Sequence, residues 1–229
     1  LLTPILFTLM NCSEVTKVSQ KGAGIIIDAH GAIIRGDTAS KEIALVLTGD
    51  EFADGGELIR KTFRKHKIKG SFFLTGNFYV NPSFHSLIRG LIKDGHYMGA
   101  HSDRHLLYAD WTKRDSLLVT EEEFKEDLLL NYERMATFSI RKEDAKYFLP
   151  PYEWYNSRIA QWTQESDLQL VNFSPGTRST ADYTYPEMGE RYMPSDVIYR
   201  SIMDYEQKDP HGLNGFILLI HIGTDPHRT

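Results

Sequence analysis

The 229-residue sequence has one cysteine, no excess of basic residues and no long apolar run. Because a single cysteine cannot pair within the chain, Cys12 excludes an internal disulfide framework and a cysteine zinc cluster. The 26 Lys and Arg residues are outnumbered by 31 Asp and Glu residues, and the net charge of −5 argues against nucleic acid as a partner. The chain also lacks a Gly-x-Ser-x-Gly motif, which removes the main sequence support for a serine hydrolase.

The apolar residues at the start of the chain are not expected to form a transmembrane helix. The segment from Leu1 to Met10 is far shorter than the roughly 18 residues that a membrane span needs, and Pro4 interrupts it. Two interpretations stay open at this point. The segment is either a buried strand or the end of a lipoprotein signal that leads to Cys12.

Short apolar runs alternate with amphipathic segments along most of the chain, which is typical of repeated βα units and a mostly parallel sheet. The predicted strands are 43–48, 71–74, 96–100, 146–149, 168–173 and 216–221. The predicted helices are 57–66, 82–94, 120–135 and 195–205, with Thr120 and Ser195 as N-caps. Residues 175–193 are predicted to form a long loop, which is often a functional feature in a compact domain.

Polar residues stand directly after several predicted strands. In a parallel αβ sheet, open or closed as a barrel, ligands bind at the carboxyl ends of the strands. The polar residues at these ends are Asp50, Glu51, His101, His105, Tyr152, Glu153 and His221.

Two histidines and two acids among these residues suggest a metal site. His101 and His105, four residues apart, can converge on one ion, although surface histidines on a turn are the alternative. Asp50 and Glu51 follow an apolar strand, where charge is costly unless it is paired or bound to a cation; a helix N-cap pair is the alternative. Two imidazoles and one carboxylate match an open, catalytic zinc site, and the second acid would then act on water.

His221 ends the apolar strand FILLIH at the same edge of the predicted sheet. An imidazole with a near-neutral pKa is the usual proton donor to a leaving group. The alternative is a half-buried core histidine that bonds a backbone carbonyl. Its position beside the other groups favours the functional interpretation.

These residues, in this order, resemble the polysaccharide deacetylase family, the NodB-like domain of carbohydrate esterase family four. The family's Thr-Phe-Asp-Asp-Gly motif is similar to Thr48-Gly49-Asp50-Glu51, and its His-Ser/Thr-x-x-His motif is matched fully by residues 101–105. Its Arg-Pro-Pro-Tyr/Arg-Gly wall resembles Leu149-Pro150-Pro151-Tyr152-Glu153. Its Asp-Trp pair resembles Asp182-Tyr183, and its final Leu-Leu-His strand resembles residues 218–221.

The resemblance implies a distorted parallel (β/α) barrel of about seven strands. Residues 41–229 would form this deacetylase domain, and residues 1–40 would be an N-terminal extension packed on the barrel. Family members usually continue with a further helix and strand after the last histidine, whereas this chain stops eight residues past His221. We therefore expect the sequence to be part of the domain.

The implied activity is metal-dependent hydrolysis of N-acetyl or O-acetyl groups on a polysaccharide or oligosaccharide. By resemblance, zinc is held by Glu51, His101 and His105, while Asp50 acts as the base on water and His221 protonates the leaving group. Acetylated polysaccharides lie outside the cytoplasm, so the family implies a location in the cell envelope or exterior.

The implied substrate-binding residues come from the wall motif and the long loop. They are Pro151, Tyr152, Trp154, Asp182 and Tyr183. The backbone N–H of Tyr152 would stabilise the tetrahedral oxyanion. Trp154 and Tyr183 would stack on sugar faces, although a packing role for such aromatics stays open.

Three positions depart from the family pattern, and those at Leu149 and Gly49 support a rival hypothesis. Leu149 stands where an arginine usually orients the catalytic aspartate, Glu51 replaces the usual metal-binding aspartate, and Gly49 alters the first motif. The rival hypothesis is a non-catalytic carbohydrate-binding module on a decayed deacetylase fold. Retention of two acids and three histidines at the strand ends favours the enzyme.

Overall fold

Eight strands form one curved sheet in the computed structural model, which describes residues 24–224 and 226–228. The strands are β1 (Ile26–Ile27), β2 (Ile33–Arg35), β3 (Ile43–Gly49), β4 (Ser71–Leu74), β5 (Tyr97–Ala100), β6 (Tyr147–Phe148), β7 (Gln169–Leu170) and β8 (Phe216–His221). Their order across the sheet is β1-β2-β8-β3-β4-β5-β6-β7. The two interpretations of the apolar start of the chain concern residues outside this described part.

The predicted parallel, barrel-like sheet is confirmed, since β8 pairs in parallel with β3, and β3 to β7 pair in parallel in sequence order. Two strands end earlier than predicted. β6 ends at Phe148 because the chain then runs into Pro150 and Pro151, which have no N–H to donate to a ladder. β7 ends at Leu170, and two residues later the chain bonds to β2 instead, where Asn172 N donates to Ile33 O at 2.9 Å.

An antiparallel hairpin raises the strand number from about seven to eight. Strands β1 and β2 pair with each other, and β2 also pairs antiparallel with β8 through Arg35 and Phe216. On its other side, Ile33 of β2 bridges Val171 just after β7. The hairpin therefore lies between the two ends of the parallel sheet and brings them together. Its residues fall within the segment that was expected to pack on the barrel as an extension.

Side chains alternate between the two faces of the curved sheet, as the period of two in a strand requires. The outer face packs against the helices in a large hydrophobic core that includes Leu47, Leu74 and Phe148. A second, smaller cluster fills the inner face, and its buried members are Val46, Phe73, Leu149, Val171, Ile217 and Leu219. Polar residues that continue this inner alternation past the strand ends therefore face the inside of the barrel.

Six α-helices are present within the described residues. They are α1 (Gly56–His66), α2 (Gly76–Val80), α3 (His85–Lys93), α4 (Glu121–Ala136), α5 (Ser157–Glu165) and α6 (Ser195–Lys208). Within that part of the chain, no helix combines the length and apolarity needed to cross a membrane.

Side-chain caps are present at the start of three of the six α-helices, α2, α4 and α5, and two helix starts differ from the predictions. Ser195 is not an N-cap: it is the first residue of α6, and Pro194 occupies the cap position without a side-chain bond. The helix predicted over 82–94 begins later, as α3, because residues Pro82–Phe84 form a separate 3-10 turn capped by Asn81. The capping box at Thr120 is confirmed, because its hydroxyl accepts from Glu123 N while the Glu123 carboxylate accepts from Thr120 N.

We predict that Thr120→Ala lowers the free energy of unfolding by about 1 kcal/mol, because it removes the side-chain acceptor of the capping box at the start of α4. Thr62→Ala is the matched control. Thr62 is also exposed and helical, but its hydroxyl bonds only the carbonyl of Leu58 within α1, and alanine is the better helix former. Urea denaturation of both variants measures the difference, and equal effects would contradict the cap.

Candidate active site

A cavity of ≈ 580 Å³ lies at the carboxyl ends of the strands, where the sequence places its polar residues. Residues from the β3, β5 and β8 ends, the segment after β6 and the long loop line it together. The lining residues are Thr48, Gly49, Asp50, Glu51, Phe52, His101, His105, Trp111, Tyr152, Glu153, Tyr183, Tyr185, Met188, His221, Gly223 and Thr224. The structure thus gathers most of the predicted site residues around one space.

The two histidines that follow β5 are neighbours at this cavity, with ring centroids 5.3 Å apart. His101 is buried, and its Nδ1 donates to the carbonyl oxygen of Leu149 at 2.6 Å. That bond fixes the ring and leaves Nε2 as the free acceptor, as is usual for a metal-binding imidazole. Burial, together with the nearby His105, lowers the pKa of His101 well below its ordinary value and keeps the ring neutral.

Helix α4 positions the loop that carries these histidines. Asp127 is fully buried and accepts hydrogen bonds from Ser102 Oγ at 2.5 Å, from the backbone N–H groups of Asp103 and Arg104 at 3.1 Å each, and from Tyr108 OH at 2.9 Å. These bonds satisfy polar groups that would otherwise be unpaired inside the protein.

Asn131 lies one turn further along the same helix and is also buried. Its Oδ1 accepts from the backbone N of His101 at 2.9 Å, and its Nδ2 donates to Leu74 O at 3.2 Å. The pair Asp127 and Asn131 was not predicted. Two polar residues four apart on the apolar face of a helix were the sequence signal that could have revealed them.

The two adjacent acids after β3 have different surroundings. Asp50 Oδ1 accepts from Thr75 Oγ1 at 2.7 Å and from Asn77 Nδ2 at 3.1 Å, while its Oδ2 lies 3.8 Å from His105 Nδ1. Glu51 also lines the cavity, but its side chain is exposed. Asp50 continues the inward alternation of Val46 and Thr48, which explains why it, and not Glu51, meets the histidine.

The residues around the histidines match a divalent metal in donor type. Two imidazoles and a carboxylate are the ligands of an open zinc site, and the outer-shell bond from His101 to Leu149 O is of the kind that orients such ligands. Within residues 24–224 and 226–228, however, no three His, Cys, Asp or Glu side chains converge into a complete metal site. The structure therefore supplies the donors without a closed coordination sphere.

His221 is held by an acid from the long loop. Its Nδ1 donates to Asp182 Oδ1 at 2.6 Å, and its backbone N donates to Asp182 Oδ2 at 2.8 Å. Burial tends to lower the pKa of His221, but the hydrogen bond and charge of Asp182, aided by Glu153, outweigh it and raise that pKa above its ordinary value. With Nδ1 occupied, Nε2 is the ring atom left to exchange a proton at the cavity.

Glu153 lies on the segment after β6 and also lines the cavity. Burial raises the pKa of its carboxyl to about 7, an effect that the charge of His221 opposes and that of Asp182 reinforces. Glu153 stands at a predicted strand end, but no role was predicted for it. The signal in the sequence was that Glu153 stands where the family's wall motif has glycine.

Exposed aromatic rings border the cavity. Tyr152 is 44% exposed and packs against His105, with ring centroids 4.4 Å apart. Tyr183 is 48% exposed and lies edge-on to His221, while Trp111, which was not predicted, is 54% exposed and lies edge-on to Tyr152. Three rings at one cavity form a surface on which a sugar ring can stack.

Three of the predicted substrate-binding residues do not line this cavity. Asp182 is bonded to His221 instead, and the other two belong to the segment around Tyr152. Trp154 is partly buried behind Trp111, donates from Nε1 to Asp110 O at 3.2 Å, and has the Arg114 guanidinium 4.1 Å from its ring centroid. Pro151 is buried. Both therefore support the wall that carries Tyr152, and their direct contact with substrate stays a prediction.

Comparison with known proteins identifies the family. The sequence profile of the polysaccharide deacetylases matches residues 37–171, which is more than half of the chain. The chain belongs to the polysaccharide deacetylase family. The match begins just after β2 and extends past β7, so it includes the strand ends that carry Asp50 and both cavity histidines of the His-x-x-x-His motif.

A curated relative is an uncharacterised 30.6 kDa protein of Geobacillus stearothermophilus, which is 25% identical over 193 residues, covering 80% of this chain and 68% of its own length. Solved structures show the same fold at lower identity. Bacillus subtilis PdaA, a family 4 carbohydrate esterase, has a TM-score of 0.61 at 21% identity, with 86% of this chain and 74% of that chain covered.

A pseudoenzyme is among the similar structures. The family 4 pseudoenzyme BA3943 of Bacillus anthracis has a TM-score of 0.63 at 16% identity, with 85% of this chain covered. The present chain spans 59% of the length of that protein. These likenesses confirm the curled, barrel-like fold of the family.

We predict that Asp127→Ala lowers the free energy of unfolding by at least about 3 kcal/mol, because it leaves several buried donors of the histidine loop without a partner. Asp144→Ala is the control: Asp144 is exposed and pairs only with Arg141 at 2.7 Å, a contact worth about 1 kcal/mol or less. Chemical denaturation tests both. A loss for Asp127→Ala as small as that of the control would contradict the anchoring role.

Proposed function

We propose that this chain is a metal-dependent carbohydrate deacetylase that hydrolyses N-acetyl or O-acetyl groups on a polysaccharide or oligosaccharide. The observation that carries the proposal is the convergence, on one cavity, of the donor set Asp50, His101 and His105 with the hydrogen-bonded pair of His221 and Asp182. One group of residues can bind a metal, and the other can transfer a proton.

His101 and His105 would hold the ion together with a carboxylate, and zinc is the metal that this donor set fits. The motif comparison assigns the carboxylate role to Glu51. The contacts support Asp50 instead, because its Oδ2 faces His105 whereas Glu51 is exposed. A bound divalent cation polarises a carbonyl oxygen and lowers the pKa of water.

His221 would protonate the departing amine or alcohol. Asp182 fixes the ring through Nδ1 and favours its protonated form, so Nε2 carries the proton that the leaving group needs. The backbone N–H of Tyr152, at the cavity wall, is the proposed donor to the oxyanion.

The exposed rings of Trp111, Tyr152 and Tyr183 support a sugar substrate, since sugars stack on aromatic faces. A similar solved structure, Bc1960, is named as a peptidoglycan N-acetylglucosamine deacetylase; it has a TM-score of 0.62 at 20% identity and covers 86% of this chain. We extend that class of substrate to this chain, which implies action in the cell envelope or outside the cell.

The rival function is non-catalytic carbohydrate binding. It is favoured by Leu149 in place of the family's arginine, by the incomplete metal site among the described residues and by the likeness to a pseudoenzyme. Acetate release from acetylated chitooligosaccharides and acetyl xylan, with and without a chelator, separates the two. Chelator-sensitive release supports the deacetylase, whereas glycan binding without release supports the binding module.

We predict that the purified protein binds one zinc ion per chain and that His101→Ala and His105→Ala each lose it. The loss of affinity should exceed the ~10 to 100-fold cost of removing an outer-shell partner. Asp50→Ala should also lose zinc, while Glu51→Ala should keep it, as their different contacts suggest. Elemental analysis after dialysis measures the stoichiometry.

His66→Ala is the control for these variants, because His66 is exposed on α1 and does not line the cavity. It should bind zinc like the parent. Histidine variants that also bind zinc as tightly as the parent would show that the metal site is elsewhere. Zinc lost by Glu51→Ala but kept by Asp50→Ala would restore the roles that the motif comparison implies.

We predict that His221→Ala keeps the fold and the metal but loses about 10² to 10⁴-fold in kcat/KM on N-acetyl sugars, the usual contribution of a positioned proton donor. An aryl acetate expels a stable phenolate and hardly needs that proton, so its hydrolysis should be much less affected. Equal losses on both substrates, together with a lower melting temperature, would make His221 a structural residue instead.

A further inference from the structure

Four carboxylates lie at or near the candidate site, and the surroundings of three of them are described by the contacts above. Asp182 is bonded twice to His221, and Asp50 is held by Thr75 and Asn77 beside His105. Glu51 is exposed on the loop after β3. The fourth, Glu153, lines the cavity with a partly buried side chain whose carboxylate makes no hydrogen bond to the described residues.

We propose that Glu153 is the general base of this site, the group that takes a proton from the attacking water; the proposal rests on the deacetylase function proposed above. Neither the motif comparison nor the family match gives this residue a role. The geometry singles it out because it is a partly buried carboxylate that lines the same cavity as His221 and makes no hydrogen bond to the described residues.

The backbone at this position supports a functional role. Tyr152 and Glu153 have φ values of 59° and 52°, a left-handed conformation that costs about 1 to 3 kcal/mol in a non-glycine residue. The family's wall motif ends in glycine here, which adopts such angles at no steric cost. Glu153 N donates to Pro150 O at 3.1 Å and Asn172 Nδ2 donates to Glu153 O at 3.0 Å, which keeps the strained residue in place.

The electrostatic surroundings suit a base that works near neutral pH. Burial raises the pKa of Glu153, and the titratable groups that act on it are His221, which opposes the rise, and Asp182, which adds to it. A base is most effective when its pKa lies near the working pH. An arginine at position 149 would place a permanent positive charge on this wall, whereas the buried Leu149 places none.

The replacements at positions 149 and 153 are therefore complementary. Leu149 cannot orient an acid of the first motif, and Asp50, the inward-facing acid there, is already held beside His105. Glu153 supplies a carboxylate from the segment after β6 to the same cavity. It takes one proton from water as the water oxygen bonds to the acetyl carbon. The bond from that carbon to the leaving nitrogen or oxygen then breaks as His221 gives its proton to the leaving group, and transfer of the proton from Glu153 to His221 through solvent restores both residues.

The test compares the parent with Glu153→Gln, which keeps the shape of the side chain and removes its basicity. We expect a ~10² to 10⁴-fold loss of kcat/KM for acetate release. Bound zinc, measured by elemental analysis, should be unchanged. Glu122→Gln, at an exposed position on α4 away from the cavity, is the control and should match the parent.

Two further measurements separate a base from a structural acid. Glu153→Gly, which restores the residue of the family motif and relieves the left-handed strain, should be at least as stable as the parent yet as inactive as Glu153→Gln. A carbon-13 NMR titration of the glutamate carboxyls in the zinc-free protein should show one midpoint near 7 that is missing in zinc-free Glu153→Gln. The kcat/KM of the zinc-loaded parent should fall as the pH drops through the pKa that Glu153 has in that form, because the protonated carboxyl cannot accept a proton.

Activity of Glu153→Gln within threefold of the parent would overturn the assignment while leaving the deacetylase function intact. Loss of zinc in that variant would also overturn it, because Glu153 would then be a ligand. A parent that releases no acetate from any glycan, although loaded with zinc, would overturn the deacetylase function itself, and the role of Glu153 would fall with it.

Discussion

The buried carboxylate of Asp127 is the interaction on which the geometry of the candidate site depends. Ser102 and His105 adopt left-handed backbone angles, with φ of 73° and 55°, which such residues avoid unless the surroundings hold them. Asp127 compensates by accepting bonds from a hydroxyl and from consecutive backbone N–H groups of their loop. Because α4 is itself fixed by Phe124 and Leu128 in the outer core, packing outside the sheet sets the position of imidazoles inside it.

The second constraint is the alternation of side chains in a curved parallel sheet. One face of each strand enters the inner cluster, and the next inward position after the strand belongs to the cavity. Asp50 follows Thr48 in this way, His101 follows Gly99, and His221 is the inward neighbour of Leu219. Thr48 pairs with His221 in the register of β3 and β8, so the polar groups at the ends of these two strands lie at the same level along the sheet. A shift of one residue would bring Glu51 inward and expose Asp50.

The sequence predicted the features that depend on local patterns. The run FILLIH became a buried strand over the same residues, and Thr120 with Glu123 formed the expected capping box. Features that depend on distant partners were not predictable in this way. The hairpin of β1 and β2 has short strands, and its place in the sheet is set by contacts with Val171 and Phe216, far along the chain. Asp127 was missed for the same reason, because its partners lie on a loop about twenty residues before it.

The choice between an enzyme and a binding module on this fold depends on where a free carboxylate lies. The family motif places the base directly after β3. A changed first motif and a missing arginine therefore suggest that catalytic activity has been lost. Glu153, however, comes from the segment after β6 and lines the same cavity as Asp50, so two different strand ends supply carboxylates to it. Two acids act on His221: Asp182 is bonded to it, while Glu153 acts on it by charge. Asp182 therefore orients the imidazole, while Glu153 remains available to accept a proton. The departures at Leu149 and Glu153 are then one coordinated change in the wall motif, in which a positive charge is lost at one end and a negative charge is gained at the other.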